Sequence, residues 1–134
     1  MDEFVRLYGK QPSHVDGHQH RHLCTNMMVD RVIPGGTKVR RSFSFWPGEK
    51  SWVQRKYRSG IDRWLASRYR LTDFFFSLGQ SLRLNRLTRV TDLGKKSNVE
   101  LMTHPIVAGE YSFLMSDAFT ELLKAQRLGS FASL

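Results

Sequence analysis

Four of the five histidines in this 134-residue chain fall on alternate positions, His14, His18, His20 and His22, with Asp16 filling the one gap in the series. Alternate side chains of an extended strand share a face. The spacing therefore predicts a strand with four imidazoles and a carboxylate in one row, and Val15, Gly17, Gln19 and Arg21 on the other side. Neutral imidazole and carboxylate are the ligands that borderline divalent cations favour. Imidazole also titrates near neutral pH and can pass protons. The row thus reads as a face that could hold a metal and do acid–base work. A histidine-rich run can also be a tag or a loose metal-binding tract. A tag would be contiguous or terminal, and would not carry Asp16 in register with the row.

The fifth histidine, His104, ends the stretch Asn98-Val99-Glu100-Leu101-Met102-Thr103-His104-Pro105, which reads as a short strand. Pro105 has no N–H to give to a ladder, so the strand must stop there and leave His104 at its carboxyl end. Asp73 is the only charge in Leu71–Leu78, a second expected strand of buried type. A buried carboxylate has to be paired or hydrogen-bonded, so Asp73 is expected to anchor arginines or to belong to a site. Glu100 on its strand and Glu110 on an expected loop are given no catalytic role.

The elements that must position these groups follow from periodicity and punctuation. Residues 2–8 predict a short helix with Asp2 and Glu3 in its first turn, ended by Gly9. Residues 25–33 predict a second helix, stopped by Pro34-Gly35-Gly36. Val39–Phe43 reads as extended, and Trp46-Pro47-Gly48 as a turn. From about Ser51 to Tyr69, Trp52, Val53, Tyr57, Ile61, Trp64 and Leu65 fall on one stripe at helical spacing, which predicts a helix with that stripe in the core. Leu84, Leu87, Val90 and Leu93 predict another helix ending near Gly94; Ile106–Leu114 reads as loop, and Ser116 as the cap of a last helix through about Lys124. Strands alternating with helices predict a parallel α/β sheet or barrel within one domain, residues 1–134. Function in such folds collects at the carboxyl ends of the strands, which would put His18–His22 and His104 on one rim.

Composition narrows the function classes. Hydrophobic residues are 40% and aromatics 12%, ordinary for a globular protein. No apolar run approaches the ~20 residues of a membrane span, and the N-terminus lacks the pattern of a secretory signal. The single Cys24 excludes an intrachain disulfide and fits a cytoplasmic setting. The net charge of +9 is concentrated in residues 31–70, where eleven Lys and Arg face only Glu49 and Asp62. Interleaved aromatics invite a nucleic-acid reading. No nucleic-acid motif accompanies them, so a solvated helix face, with arginines serving an anionic ligand or a neighbouring segment, is preferred.

The same residues resemble the YdjC-like carbohydrate deacetylases. The strand motif of that family, Pro-(Thr/Ser)-His-x-Asp-x-His-x-His-x-His, stands complete as Pro12-Ser13-His14-Val15-Asp16-Gly17-His18-Gln19-His20-Arg21-His22. Its second motif, Glu-(Leu/Val)-Met-x-His-Pro, stands as Glu100-Leu101-Met102-Thr103-His104-Pro105. Leu71-Thr72-Asp73-Phe74 and Arg127-Leu128-Gly129-Ser130-Phe131 are similar at corresponding places. The resemblance implies a partial (β/α) barrel-like fold and a divalent cation, Mg2+ or Zn2+, assisting hydrolysis of an N-acetyl group on an amino sugar. It implies His18 as metal ligand and His104 as the acid that protonates the departing amine. Asp16 would support catalysis, with His14, His20, His22, Arg40, Arg41 and Asp73 facing the substrate. Full-length members begin with a strand carrying an Asp-Asp pair, followed by a Gly-x-His segment, and neither is found before Gly9. The expectation is therefore the C-terminal half of such a barrel, acting with a missing N-terminal half or as a homo-oligomer. A metal-binding remnant without turnover and a basic nucleic-acid-binding protein are the alternatives.

Overall fold

Gly9 ends the first helix as its position demands. Helix α1 covers Asp2–Tyr8, and Gly9 takes a left-handed conformation (φ 66°) while its N–H donates to the Val5 carbonyl. That backbone shape costs a Cβ-bearing residue more than glycine. The computed structural model describes residues 1–17, 30 and 32–134. The expected helix over 25–33 and three members of the histidine row, His18, His20 and His22, lie outside the described residues apart from Asp30, Val32 and Ile33. The chain divides into two units: Met1–Ser42 with Trp52–Leu71 and Ser130–Leu134, and Phe43–Ser51 with Thr72–Gly129.

In the first unit three extended segments lie side by side in parallel. Val15 pairs with Val39, and Lys38 pairs with Arg70. The middle segment serves both neighbours: Val39 N–H donates to the Arg70 carbonyl at 2.9 Å and Arg40 N–H to the Val15 carbonyl at 3.1 Å. Parallel neighbours need a crossover, and helix α2, Trp52–Ala66, makes the one between the second and third segments. Ile33, Val39, Leu65 and Tyr69 form the buried cluster, with Val15, Ile61, Trp64 and Leu71 packed against it. The expected stripe of α2 is corrected here. Only Leu65 is buried, whereas Trp52, Val53 and Tyr57 are 69%, 57% and 69% exposed. The helix is amphipathic over its whole length, but among the described residues only its second half meets the cluster.

The second unit repeats the parallel theme. Strand β1, Phe74–Ser77, runs alongside β2, Val99–Met102, in the register Phe74↔Val99 to Ser77↔Met102. Two helices, α3 (Leu78–Arg83) and α4 (Leu87–Gly94), form the crossover between them. Ser77 ends the strand and caps α3, its Oγ accepting from Gln80 N–H. Leu78 is therefore a helix residue rather than the end of the expected strand, and Leu84 closes α3 rather than opening a longer helix. Phe75, Phe76, Leu78 and Val90 are buried. Phe43 stacks on Phe75 with ring centroids 4.5 Å apart, and Trp46 on Phe76 at 5.4 Å. After β2 come α5, Ala108–Leu114, and α6, Asp117–Lys124, the latter capped by Ser116 as expected. Helix α5 corrects the expected loop over 106–114. Mixed helices and parallel strands fit an α/β class.

Candidate functional site

The first three residues of the histidine row alternate as a strand requires. Val15 packs against the buried cluster, while the carboxylate of Asp16 forms an ion pair with Arg40 on the neighbouring segment. His14 lays its ring on Phe131, centroids 4.1 Å apart and planes 4° from parallel, with Nδ1 3.0 Å from Ser13 Oγ. Partial burial pushes the His14 imidazole below its ordinary value; Asp16 opposes the shift and Arg40 adds to it. The pairing of Val15 with Val39 is what brings His14, Asp16 and Arg40 together, since each sits one residue from the paired positions.

Arg41, next along the same segment, turns to α2. Its Nη2 donates to Asp62 Oδ2 at 2.7 Å, and Asp62 Oδ1 accepts from Ser42 Oγ at 2.6 Å and Ser42 N–H at 3.3 Å. Both cations expected at the substrate are thus engaged by carboxylates of adjoining segments. Asp73 is exposed, which corrects its expected burial, and its Oδ2 accepts from Asn98 N–H at 2.8 Å. That bond ties the start of β1 to the start of β2.

His104 stands two residues beyond β2, as its place before Pro105 predicted, with 47% of its side chain exposed. Its support comes from Glu110, in a stretch expected to be loop. Glu110 is the third residue of α5 and is only 4% exposed. Its Oε2 accepts from His104 N–H at 2.6 Å, and its Oε1 lies 3.5 Å from His104 Nδ1. A glutamate at the third position of a helix ordinarily reaches the N–H of the capping residue. Here that residue is Val107, whose N–H donates to the His104 carbonyl, and Glu110 reaches past it to His104. No local pattern in the sequence announces that reach.

Among the described residues no three His, Cys, Asp or Glu side chains come together as a metal site. The expected ligand His18 lies outside them, and no fit of a cation to the described side chains is seen. No helix among the described residues is long and apolar enough to cross a membrane.

Among the described residues, parallel strands joined by helical crossovers define a protein of the α/β class. The family model described as YdjC-like protein matches residues 1–125, and the chain belongs to that family. The family is of the carbohydrate-deacetylase type. The match includes His14–His22 and Glu100–Pro105 and stops short of Arg127–Phe131. No curated protein and no solved structure matches the chain.

Proposed function

We propose that this chain hydrolyses the N-acetyl group of an amino sugar with a divalent cation, Mg2+ or Zn2+, held at His18. One observation carries the reading: the family match spans both histidine segments. A bound cation would supply polarisation of the acetyl carbonyl and a more acidic water. Hydrolysis adds water to the carbonyl carbon, breaks the C–N bond, and leaves acetate and an amine that needs a proton. His104 supplies that proton. Its half-exposed ring, on a turn fixed by the Glu110 bond to its backbone, suits the task. Asp16 supports the site, and His14, His20, His22, Arg40, Arg41 and Asp73 take the sugar. For His14, Asp16 and Arg40 this is supported by their placement on adjoining segments.

The test is acetate release from N-acetylated glucosamine oligomers with Mg2+ or Zn2+, beside calorimetric titration of the cation alone. His104→Ala should lower turnover by roughly 10²–10⁴-fold, the usual worth of a placed proton donor, and leave cation affinity unchanged. His18→Ala should weaken cation binding. Failure to release acetate together with cation binding indifferent to His18 overturns the proposal.

A further inference from the structure

Glu110 is buried and ionisable, the chemistry above uses it only as a tie to the His104 backbone, and its two oxygens are spent on one residue. Oε2 takes the backbone N–H of His104 and Oε1 faces the ring at Nδ1. A carboxylate out of water must be paired or hydrogen-bonded, and among the described residues the charged partner of the His104 ring is this one. Space for it is provided by Gly79, the second residue of α3. A Cβ there would lie 2.5 Å from Glu110 Oε1, closer than such atoms approach, and 3.3 Å from its Cδ, a tight contact, so the carboxylate would have to shift. Gly79 has no positive φ to explain it. The missing side chain is what admits the carboxylate.

We infer that Glu110 is a positioning residue for His104: it draws the imidazole proton onto Nδ1, leaving Nε2 as the atom turned to the outside. Which nitrogen of a histidine is protonated follows from the bond its other nitrogen makes. A carboxylate is acceptor-only when ionised, so the nitrogen beside it must carry the hydrogen. The separation of 3.5 Å places the pair within ion-pair reach, short of a tight hydrogen bond. In the imidazolium both nitrogens carry hydrogen; the proton handed to a leaving amine would then travel from Nε2 and return the ring to the Nδ1–H form, with Glu110 holding it so that it can. The bearing on turnover rests on reading His104 as the proton donor; the tautomer itself does not.

Long-range proton–nitrogen correlation spectra of the full chain, taken without cation or sugar at a pH where the ring is neutral, read the tautomer directly. The expected result is His104 predominantly as Nδ1–H, with its backbone amide proton strongly downfield. Glu110→Gln should return the ring toward the Nε2–H form that free imidazole side chains prefer and lose the downfield amide shift. Gly79→Ala, which leaves the carboxylate in the chain but displaces it, should produce the same change. Glu110→Asp, charged but one methylene short, should restore the tautomer at most in part. A wild-type His104 in the Nε2–H form overturns the inference, as does a folded Glu110→Gln chain that keeps Nδ1–H. Should both substitutions unfold the chain, the wild-type spectrum alone decides. The deacetylase reading is judged separately: acetate release without the Nδ1–H form removes only the role of Glu110, and the Nδ1–H form without acetate release or His18-dependent cation binding removes only the reaction.

Discussion

His14 is a histidine the fold keeps partly from water, and that has a pH signature. Its imidazole is pushed below the ordinary 6.5 chiefly by burial. The unfolded chain therefore takes up a proton first as pH falls, and stability declines with it. The contribution is complete above pH 6.5 and is lost on acidification below it. His14→Phe keeps an aromatic ring on Phe131 and removes the titration. Urea midpoints between pH 8 and pH 5 should fall more steeply for the wild type than for the variant; parallel curves would show that His14 carries no such linkage. Asp62 is the other residue with a definite worth. It is 13% exposed and accepts from Arg41 and Ser42 together. Asp62→Ala should cost about 2 kcal/mol by urea denaturation, since it takes a carboxylate away from a largely buried guanidinium and a buried hydroxyl. Neither pairing could be read from the sequence. Charge excess in residues 31–70 pointed to neighbouring carboxylates, but which carboxylate met which arginine depends on strand register.

Elements were more legible than contacts. Helix α1 with its Gly9 end, the turn at Trp46–Gly48, the Ser116 cap and the halt before His104 all follow from local chemistry, and all are present. Two of the elements that differ from expectation do so for different reasons. Helix α5 opens at Val107 with no side-chain cap bond and carries Gly109 in its first turn, so nothing local announces it. The periodicity of helix α2 is plain in its residues, but burial of its apolar stripe depends on what the other elements bring to it. Because Trp52 and Tyr57 are largely exposed among the described residues, replacing either with Lys should change stability by less than about 0.5 kcal/mol, the range for ordinary surface substitutions. Leu65→Ala on the same helix, at 1% exposure, should cost about 2–5 kcal/mol. A thermal melt series separates the two halves of the helix, and equal costs would mean the first half is covered after all.

At the scale of the molecule, alternating strand and helix patterns along the chain predict the α/β class and its parallel pairing, seen twice: once around residues 15, 39 and 70 and once between β1 and β2. Helix bridges the segment at residue 39 to that at residue 70, and β1 to β2, as parallel neighbours require. The histidine motif and the His-Pro motif were legible because both are written in consecutive residues. The support for His104 was not, because Glu110 and Gly79 lie on different helices and only folding brings them within bonding reach. The middle segment of the first unit has one more implication. Its successive amides, at Val39 and Arg40, turn to opposite neighbours, so its alignment is counted in single residues. Losing one residue between Thr37 and Arg40 would exchange the two edges, turning Arg41 toward Asp16 and bereaving Asp62. Gene variation here should tolerate replacement of letters far better than their removal.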